Sequence, residues 1–229
     1  AMAFAALNKI EPNEEYATLA IKTFDNILER RDNPKGIYSK TFPGTRNLKS
    51  FALPMILSNL TLEMGALLDD GKVSSLVPAV IREVMEVFLQ KDSGLILENV
   101  NLDGSFSDSF EGRLTSPGHA IEAMWFMLDL SQKYNDEDLC QKAIDTGLKT
   151  LEYGWDKDYG GIYYFLDICG HPSEKLEWNQ KLWWVHLETL VFLSKAYAIT
   201  GNNECLQWFN KVHDYTWKHF KDPDSPEWF

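Results

Sequence analysis

A chain of 229 residues with 45% hydrophobic and 13% aromatic content can bury a sizeable core, in one large domain or two ordinary ones, which sets disorder aside. A formal net charge of −12 leaves no basic face for neutralising phosphates, so nucleic acid and anionic membrane surfaces are not expected partners. Cys140, Cys169 and Cys205 follow no CxxC or CxxH spacing and read as reduced thiols of a cytoplasmic protein, with neither a disulfide framework nor a zinc site.

Helical periodicity dominates from the first residues onward. It predicts helices over 2–10, 14–31, 50–68 and 73–90, then a short strand within GLILENV (94–100). Further helices follow over 117–134 and 137–154, a strand within GGIYYFLD (160–167), and a last pair over 180–200 and 203–220. Turns rich in Asn, Asp and Gly separate many of them, as in LDDGK, YNDED and ITGNNE. Both strands sit between helices as pieces of hairpin loops. No apolar run reaches bilayer length, and no basic-then-apolar leader opens the chain. AMAFAALNKI begins without a cap and DPDSPEWF stops on uncovered aromatics, so both ends read as cuts through a longer protein.

Paired, these helices repeat. SFALPMILSNL, PGHAIEAMWFML and KLWWVHLETLVFL are apolar almost all round and begin roughly 65 residues apart, longer than common solenoid units. Their partners, such as VIREVMEVFLQ and QKAIDTGLKTL, are amphipathic with one charged face. The apolar members belong inside and the amphipathic ones outside. That alternation predicts an all-α toroid of helical hairpins, an α/α barrel with short β-hairpin loops shaping a pocket at one end. An open α-solenoid is the fallback, and the aromatic-rich loops favour the barrel.

Two of the inner helices carry costly polar residues. In SPGHAIEAMW, Ser116 is a fit N-cap and Pro117 suits the first helical position. His119 then lies in the first turn, where the helix dipole disfavours the imidazolium and should lower its pKa. A neutral imidazole is what a general base requires. Glu122 and Trp125 share its face, and a carboxylate there would raise the pKa again or orient the ring, depending on burial. The plainer reading is a solvated cap followed by core. H-x-x-E can also be half of a metal site, but neither a second copy nor HExxH is present, so no metal is expected. In KLWWVHLE, Lys181, Trp184 and Glu188 fall at i, i+3 and i+7. An isolated Trp stripe is more often core. Lys and Glu in the same stripe are costly to bury without a partner or ligand. An indole beside a carboxylate suits a sugar, its ring covering C–H groups while the carboxylate accepts from hydroxyls. His186 points elsewhere, toward Trp183. The glycine pair of WDKDYGGIYYFLD permits a tight turn, and Tyr163 and Tyr164 serve a pocket rim or a structural hairpin equally well.

Four motifs carry a resemblance. GR-x-x-x-PGH-x-x-E-x-x-W, WD-x-D-x-GG-x-x-YF-x-D, LEW-x-x-KLWW-x-H-x-E and F-x-DP-x-x-x-EWF occur in order along nearly the whole chain, which resembles the N-acylglucosamine 2-epimerase family, part of a superfamily with cellobiose 2-epimerases and aldose–ketose isomerases. His186 after the WW pair looks more like the N-acylglucosamine branch. The resemblance implies one (α/α)6 barrel domain, truncated at both ends in residues 1–229. An early segment with a substrate-binding arginine and a late one with a second catalytic histidine would lie outside. It implies reversible interconversion of N-acetylglucosamine and N-acetylmannosamine by proton transfer at C2, in a homodimer. No cofactor is required; ATP or another nucleotide, not consumed, is an allosteric activator by resemblance alone, since the chain has no P-loop or dinucleotide fingerprint. By the same resemblance His119 is one member of the acid–base pair, and Glu188 handles ring or O1/O5 protons. Glu122 orients His119 or binds a hydroxyl, and Trp184 stacks on the sugar. Trp125, Lys181 and His186 complete the substrate-binding set. Arg113 holds the anionic intermediate or, with equal weight, forms a structural ion pair.

The chain departs from the family pattern at Ser116, Val185, Thr189 and Pro226, the last of which could alter a loop near the site. The substrate is therefore held less firmly than the reaction class. Cellobiose and mannose are alternative sugars. A glycoside hydrolase using Glu122 and Glu188 is another reading, which leaves His119 without a role. A non-catalytic binding protein on the same fold is a third.

Overall fold

The structure is a computed structural model, and it describes residues 1–32, 45 and 47–228. Eight α-helices are present among the described residues: α1 (Met2–Ile10), α2 (Glu14–Asp32), α3 (Ala52–Met64), α4 (Asp70–Arg82), α5 (Pro117–Tyr134), α6 (Glu137–Gly154), α7 (Trp183–Thr200) and α8 (Asn203–His219). Each odd-numbered helix packs on its even-numbered successor, and α1, α3, α5 and α7 also pack on one another in that order. The result is an arc of four helical hairpins with the apolar helices on one side and the amphipathic ones on the other, as in an (α/α)6 barrel.

Local chemistry sets the helix ends, and in three places it moves them from the periodic pattern. The segment 50–68 gives only α3, because Leu48–Ser50 forms a strand, β1, and the helix closes at Gly65. The segment 73–90 starts earlier, where the Asp69 side chain accepts from the Lys72 N–H at 2.8 Å, and it stops at Arg82. Glu83–Val87 then forms a π-helical turn, and Leu89–Gln90 becomes strand β2. The last inner helix begins at Trp183 and not at 180, so Lys181 precedes it in a loop. The α5–α6 corner follows the rules closely: Asn135 takes the left-handed conformation (φ 53°), and Asp136 caps α6 by accepting from Leu139 N–H at 2.9 Å.

Six short strands form three antiparallel pairs among the described residues. β2 and β3 (Leu95–Ile96) make a local hairpin. The other pairs are long-range, contrary to the expectation of local hairpin pieces. β4 (Asn99–Asn101) pairs with β1, and β6 (Leu166–Asp167) pairs with β5 (Leu114–Thr115). Within GGIYYFLD only Leu166–Asp167 is strand, while Ile162 bridges back to Trp155. These pairings draw the 94–101 and 155–167 loops to the N-terminal end of α5.

Two apolar clusters fill the arc. The larger unites α5, α6 and α7 with α4 and the strands around Ile121, Met124, Phe126, Leu151, Phe192 and Leu193. The smaller joins α1–α4 around Phe24, Leu60 and Met64. Two glycines allow close helix–helix approaches in the larger cluster. A Cβ on Gly147 would lie 2.2 Å from the Phe192 ring, and one on Gly118 would lie 2.7 Å from Trp184. Among the described residues no helix is long and apolar enough to cross a membrane.

Candidate active site

Pro117 at the first helical position packs over Gly154, where a Cβ would come within 2.9 Å of the proline ring. This seats the start of α5 beside the loop that leaves α6. Ser116 accepts from His119 N–H at 3.5 Å, a long cap bond, and Gly118 admits the Trp184 indole of α7. His119 follows directly, its imidazole 5.6 Å from the Trp184 ring centroid and tilted by 30°. The PGH triplet is thus a steric device that brings an imidazole and an indole together at one helix end.

The carboxylate bonded to that imidazole comes from the strand region and not from α5. Glu98, between β3 and β4, accepts a hydrogen bond from His119 Nδ1 at 3.0 Å, with about 14% of its side chain exposed. Its backbone is fixed on both sides: Glu98 N–H donates to Leu114 O at 2.8 Å, and Phe51 N–H donates to Glu98 O at 2.9 Å. Burial pulls the His119 pKa down, but the hydrogen bond and charge of Glu98, with the charge of Glu122, outweigh it and raise it above 6.5. Of the opposing effects that the sequence leaves open at His119, the raising one prevails, and the carboxylate chiefly responsible is Glu98 and not Glu122.

Glu122 lies one turn on and is half-buried. Burial first, and then the Glu188 charge from α7, push its carboxyl up to about 7, with His119 acting the other way. Glu188 accepts from the Trp125 indole N–H at 2.7 Å. Lys195 lies over the Trp125 ring at 5.4 Å and pairs with Asp129 at 2.6 Å. Trp125 thus acts on Glu188 as a hydrogen-bond donor. Tyr164 meets the Trp184 ring edge-on at 6.1 Å and feels the Glu98 charge. Glu98 from the β3–β4 connection thus joins His119, Glu122 and Trp125 of α5 and Trp184 and Glu188 of α7 in one cluster.

Three further candidates stand apart from that cluster. Arg113 donates from Nε to Asp167 at 2.9 Å and from Nη1 to Asp108 at 2.6 Å, tying β5 to β6, which is the structural ion pair of its two readings. Lys181 leaves the stripe expected for α7 because the helix starts after it. Its ammonium pairs with Asp156 at 3.0 Å and lies 3.6 Å from the Tyr163 ring centroid. Asp156, held well below the usual carboxylate range at about 2 despite its burial, also accepts from Asp158 and Tyr159 N–H and so organises the glycine-pair loop. His186 does not face Trp183. It is fully buried, stacks on Tyr215 at 5.1 Å, accepts from Ile162 N–H at Nε2 and donates from Nδ1 to Leu182 O. Burial drives its pKa down to about 4, and it remains neutral. All three hold the loops around the site.

Sequence reasoning missed Glu98. The available signal was a carboxylate inside the apolar run LILENV, which is as costly to bury unpartnered as the Lys and Glu of α7. Lys195 and Asp129, separated by 66 residues, gave no local sign. Among the described residues no group of three or more His, Cys, Asp or Glu side chains is placed to hold a metal ion.

Comparison with known proteins agrees with this architecture. Superposition on a cellobiose 2-epimerase from Bacillus thermoamylovorans gives a TM-score of 0.82 at 19% identity, covering 99% of this chain and 60% of that one. A D-mannose isomerase gives 0.79 at 16% identity, covering 100% and 60%. The N-acylglucosamine 2-epimerase of Mus musculus is 32% identical over 234 residues, covering all of this chain and 55% of its own length. The chain thus spans about half the length of the curated relatives it matches. The profile of the N-acylglucosamine 2-epimerase (GlcNAc 2-epimerase) family matches residues 1–229, and the chain belongs to that family.

Proposed function

We propose that the full-length protein is a sugar 2-epimerase that interconverts N-acetylglucosamine and N-acetylmannosamine. The observation that carries this reading is His119: a partly exposed imidazole bonded to a carboxylate through Nδ1, with an indole beside it and a second carboxyl one turn away. The ring-opened sugar places C2–H next to the C1 aldehyde. His119 Nε2 takes the C2 proton, the electron pair moves onto the aldehyde oxygen as an enediol-type anion, and an acid on the opposite face returns a proton to C2. The reverse reaction needs His119 as the acid. The Glu98 hydrogen bond raises the His119 pKa from its ordinary value and so favours the protonated imidazole that this reverse direction uses. Glu122, neutral or ionised at the same pH, can give a hydrogen bond to a sugar oxygen as well as accept one. Trp184 offers a ring face for C–H groups.

The reaction only rearranges electrons and requires no redox cofactor. A nucleotide activator is implied by the family resemblance alone. No step is routed through a nucleotide. The three cysteines are all free, which supports a cytoplasmic setting.

The test is proton NMR of the full-length protein with N-acetylmannosamine in deuterated water, repeated with cellobiose and mannose. N-acetylglucosamine carrying deuterium at C2 is expected. Conversion without any solvent deuterium, or turnover of only the other sugars, overturns the proposal.

A further inference from the structure

We propose that Glu98 is a positioning residue that locks His119 in the Nδ1–H tautomer and so presents Nε2 as the proton-transferring atom toward the substrate. The inference deepens the epimerase reading and rests on it for its catalytic consequence, while the tautomer itself follows from geometry. A carboxylate only accepts, so the 3.0 Å contact requires a hydrogen on Nδ1. The neutral ring then has its lone pair on Nε2, on the side away from Glu98. Backbone bonds to Leu114 and Phe51 pin the Glu98 main chain on both sides, which limits how far its carboxylate can move from the ring. Ring rotation is limited by Trp184 on one side.

The other groups facing His119 do not substitute for this bond. Glu122, on the same helix, acts on the ring through charge without a hydrogen bond, and it faces Glu188 of α7 as well. Tyr164, from the loop before β6, lies near Glu98 and feels its charge. The arrangement is the one that general bases use when a buried carboxylate fixes an imidazole's tautomer and steadies the imidazolium that forms. It departs from the motif reading, in which Glu122 does the orienting.

The experiment uses full-length protein labelled with 15N-histidine, comparing wild type, Glu98→Gln and Glu98→Asp. The glutamine variant keeps the shape but loses the charge, and its amide can present N–H₂ to the ring. In the wild type the His119 nitrogen shifts are expected to report Nδ1–H in the neutral form, with a titration midpoint above 6.5. Glu98→Gln should lower that midpoint and mix in the Nε2–H tautomer. It should also cut kcat about 10²-fold or more with KM within about twofold, and move the acid limb of the pH–rate profile downward. Glu98→Asp retains the carboxylate and should recover the wild-type tautomer and part of the rate, which also covers the case in which the glutamine variant does not fold. Unchanged His119 tautomer and midpoint in Glu98→Gln overturn the proposal. Shifted His119 signals in a wild type that turns over no sugar would leave the lock standing and sink the epimerase reading instead.

Discussion

His186, in the first turn of α7, has no exposed surface and both ring nitrogens engaged, and its pKa of about 4 places its titration far below that of a free histidine. The unfolded chain takes up that proton near 6.5 and the folded chain only near 4, so its stabilising contribution is complete above pH 6.5 and is lost as the pH falls toward 4. The full effect is roughly 3 kcal/mol. Glu122 has the opposite sign. Its folded carboxyl holds the proton up to about 7, whereas the unfolded one releases it near 4.5, so it costs stability as the pH rises through that window. The two slopes overlap and mask each other in the wild type. Glu122→Gln should therefore raise the melting temperature at pH 8 and leave it nearly unchanged at pH 4, a gain of about 1 kcal/mol after screening at a half-exposed site. His186→Gln should be destabilised at pH 8, with the deficit shrinking toward pH 4. Thermal unfolding across pH 4–8 reads both, and parallel curves for either variant would contradict its assignment.

At the scale of elements, the close approach of α5, α6 and α7 depends on two hydrogens where side chains would be. Gly147 of α6 accommodates Phe192 of α7, and Gly118 of α5 accommodates Trp184. Gly147→Ala drives a methyl into a fully buried ring and should cost about 1–3 kcal/mol while leaving the site intact. Gly118→Ala should cost a similar amount but also displace Trp184 from His119, so its His119 nitrogen shifts change where those of Gly147→Ala do not. Equal effects of the two on His119 would show that the indole contact is not set by Gly118. The sequence pattern made these helices legible because the inner members are apolar on nearly every face and the outer ones on one. It also made His119, Glu122 and Trp184 legible, since each lies within a few residues of a cap or an aromatic on the same helix. What it hid was partnership across distance. Glu98 reaches His119 from 21 residues away, Arg113 reaches Asp167 from 54, and Trp125 reaches Glu188 from 63. Periodicity also carried Lys181 into α7, although the actual start at Trp183 releases it to Asp156.

For the whole molecule, the distribution of charge bears on which sugars the proposed epimerase would admit. The chain carries a net −12, and the cations described around the site are each held by aspartates: Lys195 by Asp129, Lys181 by Asp156 and Arg113 by Asp108 and Asp167. Glu98, Glu122 and Glu188 gather around His119 and Trp125. A neutral sugar meets acceptors for its hydroxyl groups, whereas a phosphorylated or carboxylated sugar brings like charge against them, which costs several kcal/mol in a partly desolvated site. The full-length protein should therefore turn over N-acetylmannosamine with a kcat/KM at least about 10²-fold above that for its 6-phosphate. Added salt should narrow the gap, because screening acts on the exposed part of that repulsion. Ionising Glu122 adds one more negative charge, so the discrimination should also grow as the pH rises through about 7 and flatten in Glu122→Gln. Comparable kcat/KM for the neutral and phosphorylated sugars, or discrimination indifferent to both salt and pH, would mean that residues beyond this face set the charge preference.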